Sequence, residues 1–99
     1  MDSRLLQGLT VLDLAGEPLA MTGRILADMG AEVVKLEPCG GDPLRRAVPL
    51  DERSGASLRF LAWNAGKTSI EYDPSDTRVD TLLRGADVII ETPGFPGAL

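Results

Sequence analysis

Short apolar runs alternate with segments of helical spacing along the first third of the chain. Residues 9–14, LTVLDL, precede Ala15-Gly16 and are typical of a buried strand. A helix is predicted to follow, with Pro18 in its first turn and Gly30 as its left-handed C-terminal cap. Residues 31–37, AEVVKLE, form the second predicted strand. The pattern therefore predicts the unit strand, helix, strand.

The rest of the chain repeats this order after a long loop. Residues 38–56 are rich in proline and glycine and predict a loop, and residues 56–67 have room for a short helix. Residues 68–73, TSIEYD, alternate as a strand. Asp73 as N-cap and Pro74 at the first helical position then predict a helix that ends near Gly85. Residues 86–92, ADVIIET, are the last predicted strand.

This order of elements predicts an α/β domain. Nearly continuous apolar strands favour a mostly parallel sheet with helices on both faces. A doubly wound arrangement places the first and last strands side by side, and ligands then lie beyond the carboxyl ends of the strands. The predicted site is therefore formed by the loops of residues 15–18, 38–46 and 92–97, with residues 72–75 beside them.

Composition narrows the class of protein. Ninety-nine residues with 43% hydrophobic content indicate one small globular domain. A net charge of −5 argues against a general nucleic-acid or anionic-membrane surface. A single cysteine, Cys39, and the absence of histidine exclude an internal disulfide and a credible zinc site. We expect a cytoplasmic protein without a signal peptide or membrane span.

The charge is unevenly distributed. Residues 40–70 carry five cations against three carboxylates, a net +2, whereas the remaining residues sum to −7. A locally cationic rim suits a phosphorylated ligand, although a solvated charged face is the alternative. The cations are Arg45, Arg46, Arg53, Arg59 and Lys67.

The first loop keeps only Gly16 of the glycine fingerprint of dinucleotide sites, which disfavours an oxidoreductase domain. Glu17 begins the following helix and either repels a phosphate there or complements the helix dipole. Glu37 ends the second strand. It holds a ribose hydroxyl, pairs with Arg45 or Arg46, or is simply solvated. We expect Asp13 to cap loop N–H groups.

Catalytic chemistry is not evident in the residues. Histidine is absent, Cys39 has no partner base in the pattern, and the serines match no nucleophile elbow. The residues by themselves indicate a nucleotide-like ligand, and no residue is predicted to be catalytic.

Four phrases resemble, in order and spacing, the opening of the family III coenzyme A transferases: LQGLTVLDLAG, GRILADMGAEVVKLEPCGGDPLRR, FLAWNAGKTSIEYD and GADVIIET…PGAL. That family includes carnitine, formate and oxalate CoA-transferases and 2-methylacyl-CoA racemases. The resemblance implies that residues 1–99 are the Rossmann-like, CoA-binding amino-terminal part of a longer chain, whose nucleophilic aspartate lies downstream. It also implies a CoA thioester as ligand, no metal, and an interlocked homodimer of the full-length parent.

The family's CoA contacts can be carried over position by position. CoA has a 3′-phosphate and a pyrophosphate, which require cations and free N–H groups. The resemblance therefore implies a CoA site comprising Glu17, Pro18, Arg45, Arg46, Tyr72, Asp73, Pro74, Ser75, Thr92, Pro93 and Gly94.

Two positions depart from the family pattern. Glu17 stands where many members have a neutral hydrogen-bonding residue, and Thr92 stands in place of an asparagine. The expected function is that of the nucleotide-binding part of an acyl-CoA transferase, inactive as an isolated piece. The alternatives are a degenerate copy that serves as a structural or interaction module, and part of a racemase.

Overall fold

The computed structural model describes residues 5–73 and 75–93. Within these ranges the chain forms four strands, three helices and one 3₁₀ turn, Pro43–Arg46, between the second strand and the second helix. The elements in chain order are β1 (Thr10–Leu14), α1 (Glu17–Asp28), β2 (Glu32–Glu37), α2 (Leu58–Trp63), β3 (Thr68–Glu71), α3 (Arg78–Gly85) and β4 (Val88–Glu91).

The four strands form one parallel sheet in the order β3-β2-β1-β4. Leu12 in the centre of β1 lies opposite Val34 of β2 and Ile89 of β4. The predicted adjacency of the first and last strands is therefore confirmed. Because all strands are parallel, their carboxyl ends meet at one edge of the sheet.

Alternate side chains of β1 and β2 enter two separate apolar cores. Val11 and Val33 pack with Leu26 and Ala27 of α1 on one face. On the opposite face, β1 and β2 contribute a buried leucine-rich layer that packs against α3. Helices therefore cover both faces, which confirms the predicted Rossmann-like α/β fold. Residues of the second core and its margin are Leu12, Leu14, Val34, Leu36, Val79, Leu82 and Leu83.

Helix α1 ends as the sequence predicts. Its C-cap is Met29, and Gly30 follows with φ +102°, the left-handed conformation that favours glycine. The chain then enters β2 directly.

Helix α3 begins later than the sequence predicts. Asp73, expected as its N-cap, instead accepts a 2.8 Å hydrogen bond from the N–H of Ser75. Asp76 makes a similar turn with the N–H of Arg78, so the helix starts only at Arg78. The prediction was wrong because short carboxylate side chains compete with the helix for nearby N–H groups. Pro74, the predicted first helical residue, lies outside the described residues.

The long loop contains local structure of its own. Asp42 accepts a 2.9 Å hydrogen bond from the N–H of Leu44 and so caps the 3₁₀ turn. Ser57 caps α2 in the same way through the N–H of Phe60, at 3.2 Å, and confirms the predicted short helix. None of the helices in the described ranges is long and apolar enough to cross a membrane.

Candidate functional site at the carboxyl edge of the sheet

The loops that leave the strands are joined in pairs at the carboxyl edge. The N–H of Gly16, after β1, donates to Oγ1 of Thr92, after β4, at 3.0 Å. On the other side, the N–H of Tyr72, after β3, donates to the carbonyl of Glu37 at the end of β2, at 3.1 Å. The structure therefore brings the predicted positions together as two neighbouring pairs of loops.

The exit of β1 is held by carboxylates. Oδ1 of the fully buried Asp13 accepts a 2.8 Å hydrogen bond from the N–H of Ala15, which confirms its predicted capping role. Glu17, in the first turn of α1, forms an ion pair with Arg59 of α2. Both side chains remain partly exposed, so this charge pair lies at the surface of the edge. A cleft of about 280 Å³ borders it and is lined by Glu17, Asp42, Pro43, Leu44, Ala47 and Arg59.

Glu37 at the exit of β2 is paired with Arg45. Nε and Nη2 of Arg45 lie 2.6 and 2.7 Å from the two carboxylate oxygens of Glu37. Oε1 also accepts the N–H of Asp42 at 2.9 Å. Burial alone would raise the pKa of Glu37, but the bonds from Arg45 and Asp42 outweigh it and lower the pKa to about 2. Of the interpretations of Glu37, the ion pair with Arg45 is the one observed.

The two adjacent arginines of the 3₁₀ turn differ in their surroundings. The Arg45 guanidinium, bound to Glu37, also lies 4.0 Å from the ring centre of Phe60, while 44% of its side chain stays exposed. Arg46 is exposed, and its Nη1 makes a long contact of 3.5 Å with the carbonyl of Gly40. Arg46 is thus the more available cation. A second cleft, of about 340 Å³, is lined by Glu37, Gly40, Gly41, Arg45, Ser69 and Glu71.

Three of the five cations in residues 40–70 form ion pairs with carboxylates that lie outside that segment. Arg45, Arg59 and Lys67 pair with Glu37, Glu17 and Asp13, respectively. Within the described ranges, Arg46 and Arg53 make no ion pair with a carboxylate. The rim predicted from charge counting is therefore reduced at the carboxyl edge.

A buried polar network below the edge was missed by sequence reasoning. Lys35, in the middle of an apolar strand, is fully buried, and its Nζ lies 2.9 Å from Oδ2 of Asp42. Lys67 Nζ lies 2.7 Å from Oδ2 of Asp13, and it donates to Asn64 Oδ1. Burial lowers the pKa of Lys67, and the Asp13 carboxylate opposes that effect. The sequence signal that could have indicated this network is Lys35 itself, a charged residue inside the otherwise apolar strand EVVKLE.

The remaining predicted contacts lie at the ends of β3, β4 and β1. Tyr72 is partly buried beside the α3 core, and this burial raises its pKa. The hydrogen bonds from Ser75 lower the pKa of Asp73. Pro18 and Pro93 are exposed, and Gly94 lies outside the described residues. No group of three or more histidine, cysteine or acidic residues in the described part of the chain could hold a metal ion.

Comparison with known proteins shows the family of this chain. The sequence model of CoA-transferase family III matches residues 6–94. Succinyl-CoA:(R)-benzylsuccinate CoA-transferase subunit BbsE of Thauera aromatica is 37% identical over 86% of this chain and 23% of its own length. Succinate–glutarate CoA-transferase of Agrobacterium fabrum is 40% identical over 87% of this chain and 24% of its own.

The structural comparison agrees with the sequence matches. The crystal structure of a CAIB/BAIF family protein from Brucella suis matches 87% of this chain with a TM-score of 0.77 and 36% identity, over 25% of that protein's chain. The chain thus spans about a quarter of the length of the relatives it matches. It belongs to CoA-transferase family III and corresponds to the amino-terminal quarter of its members.

Proposed function

We propose that this chain is the CoA-nucleotide-binding portion of an acyl-CoA transferase that exchanges CoA between carboxylic acids. The observation that carries the proposal is the family match over residues 6–94, which includes the described loops at the carboxyl edge of the sheet. In parallel α/β sheets this edge is where nucleotide ligands bind. The nucleophilic aspartate of the reaction lies outside residues 1–99.

The chemistry of the edge supports a phosphorylated ligand at the exit of β2. Arg46 is exposed and is not paired with a described carboxylate. Arg45 uses Nε and Nη2 for Glu37, so its Nη1 group remains for a phosphate oxygen. The stack on Phe60 fixes the direction of that group. The proposed phosphate partners are therefore Arg46 and the outer side of Arg45.

The other proposed contacts follow the family pattern. Thr92 and Gly16 join the exits of β1 and β4, where Glu17 and Pro18 begin α1. We assign the pantetheine side of CoA to this pair of loops and the nucleotide side to the exits of β2 and β3. The remaining proposed contacts are Tyr72, Asp73, Pro74, Ser75, Pro93 and Gly94.

The full-length parent is proposed to be a cytoplasmic, interlocked homodimer that works by a ping-pong reaction through a covalent acyl-enzyme. The names of two relatives contain succinyl-CoA or succinate. Dicarboxylic acids and their CoA thioesters are therefore the first substrates to assay.

A structural or interaction module without CoA binding is the second candidate. It is favoured by the Glu17–Arg59 pair, because this pair places a carboxylate at the start of α1 and neutralises a cation that a phosphate would use. A module of this kind would keep the Rossmann-like fold but would no longer bind the phosphates of CoA.

Calorimetric titration separates the two candidates. The full-length gene product is titrated with CoA and with 3′-dephospho-CoA at low and high salt. Saturable binding that weakens at high salt and without the 3′-phosphate is expected for the transferase. A folded protein that gives no binding heat with either ligand contradicts CoA binding and supports the structural module.

Two arginine variants make the titration specific. Arg46→Met is expected to weaken CoA binding by at least about tenfold, since a charge-assisted hydrogen bond contributes about 1.5–3 kcal/mol. Arg53→Met is the matched control, because Arg53 is also exposed and lies outside both clefts. Equal losses in the two variants would show only a general effect of net charge.

A further inference from the structure

Lys35 connects two loops of the carboxyl edge from below. It is fully buried on the α1 side of β2, on the same face as Val33. Its Nζ donates to the carbonyl of Ala15, at 3.0 Å, directly before the N-cap of α1. The same Nζ contacts Oδ2 of Asp42, at 2.9 Å, directly before the 3₁₀ turn. One ammonium group therefore contacts both the β1 loop and the β2 loop.

Asp42 transmits this contact to the 3₁₀ turn. Its Oδ1 accepts the N–H of Leu44 at 2.9 Å, and its own N–H donates to Oε1 of Glu37 at 2.9 Å. Glu37 in turn holds the guanidinium of Arg45. Two alternate side chains of β2, Lys35 and Glu37, thus orient the segment that carries both arginines.

A buried ion pair of this kind is poorly explained by stability. Desolvation of two charges offsets most of their attraction, and apolar replacements of similar volume are often neutral or stabilising. An ammonium does, however, supply three donors and can bond to both loops at once, which an apolar side chain cannot do. A lysine at this position is therefore better explained by the placement of the β1 and β2 loops than by stability.

We propose that Lys35 is a positioning residue that holds the Ala15 carbonyl and Asp42 in register, so that the arginines of the 3₁₀ turn face a bound CoA nucleotide. This inference rests on the proposed function of the carboxyl edge. Lys35 itself is buried and does not contact the ligand.

The test is a charge-neutral double variant, Lys35→Met with Asp42→Asn, in the full-length gene product. Asparagine keeps an acceptor for Leu44 N–H, and methionine fills the space of the lysine stem. We expect a folded protein whose affinity for CoA is at least tenfold weaker. If transferase activity is present, KM for the acyl-CoA rises while kcat changes little. A merely structural loss would lower the amount of active enzyme and leave KM unchanged.

Hydrogen exchange provides a readout that does not depend on CoA. Amides of residues 14–17 and 40–46 are expected to exchange faster in the double variant, while those of Val11–Asp13 stay protected. The charge-neutral control is Arg24→Met with Asp28→Asn. These two residues pair with each other in the second half of α1, and Arg24 also donates to the carbonyl of Ala62 rather than to either loop. This control is expected to change CoA affinity by less than threefold.

The outcomes distinguish the inference from the proposed function. If the wild-type protein does not bind CoA, the proposed function fails and the inference fails with it. If the wild type binds CoA and the folded Lys35→Met/Asp42→Asn variant binds it equally well, only the inference is overturned. Unchanged exchange of residues 40–46 in that variant overturns it as well.

Discussion

Gly23 lies against Asp13 so closely that a Cβ atom at position 23 would overlap Oδ2 of that carboxylate. The added atom would also lie 2.9 Å from Cε and 3.1 Å from Nζ of Lys67. The glycine thus lets α1 approach the buried Asp13–Lys67 pair. Glycine is needed at this position because there is no space for a side chain; the backbone itself is that of a regular helix.

We expect Gly23→Ala to destabilise the fold by about 2 kcal/mol, although alanine favours helices, because overpacking at a buried site costs about 1–3 kcal/mol. The free energy of unfolding in urea measures the change. Gly85→Ala in α3 is the control, since a Cβ there meets open space. It should leave stability unchanged or raise it by up to about 1 kcal/mol. A Gly23→Ala protein as stable as the wild type would contradict the predicted overlap.

The low pKa of Glu37 predicts a loss of stability in acid. The folded-state pKa of about 2 lies below the ordinary value of 4.5, so the unfolded chain takes up the proton first as the pH falls. The stabilisation is complete above about pH 4.5 and is lost between there and about pH 2. Its size is about 3 kcal/mol at roughly 1.4 kcal/mol per pKa unit. The titration of the Glu37 carboxyl by NMR gives the pKa directly.

Arg45→Met should remove most of this part of the acid dependence. Without the guanidinium, burial is opposed by the remaining hydrogen bonds alone, so the pKa of Glu37 rises and the free energy of unfolding at pH 7 should fall by about 2 kcal/mol or more. Arg46→Met is the matched control, because the neighbouring arginine has only a long contact to Gly40. A change within about 0.5 kcal/mol is expected for it. Equal effects of the two substitutions would argue against the assignment of Arg45 as the partner.

Glu17→Gln should improve CoA binding by lowering the negative charge of the carboxyl edge, where the phosphates of CoA are proposed to bind. The substitution removes a negative charge from the start of α1 and releases Arg59 from its ion pair. We expect CoA affinity to rise about three- to tenfold, roughly 1 kcal/mol, and stability to fall by no more than about 1 kcal/mol. Glu32→Gln makes the same change of charge at the opposite, amino end of β2 and should not alter affinity. Weaker binding by Glu17→Gln would show that the carboxylate itself contacts the ligand.

The hydroxyl of Thr92 should stabilise the fold through its hydrogen bond with the N–H of Gly16. Thr92→Val leaves the buried N–H of Gly16 without its Oγ1 acceptor and should lower the free energy of unfolding by about 1–2 kcal/mol. Thr92→Ser keeps the hydroxyl and should lose less than half of that amount. Thermal unfolding of the two variants side by side measures the difference, and identical melting temperatures would exclude the hydrogen bond as the cause.

The sheet could be predicted from the sequence because apolar runs and helix-ending glycines are local signals. The order of strands followed from connection rules, and Asp13 as a cap followed from its position at the end of β1. The start of α3 could not be predicted, since Asp73 and Asp76 both offer turns that compete with the helix. A count of charges did not show which cations are paired. The partners Glu17 and Arg59 are 42 residues apart in sequence, and only the fold brings them together.

The central position of β1 delays completion of the sheet during synthesis. Thr10 exchanges hydrogen bonds with Asp87, 77 residues away, at the start of the β1–β4 pairing. On the ribosome, β1 can pair with β2 early, but its other edge stays open until β4 has emerged. A nascent chain of this protein therefore carries an unpaired parallel edge in the middle of its future sheet, a surface that invites association with other chains. Chaperone occupancy on the translating ribosome should consequently persist until β4 is released.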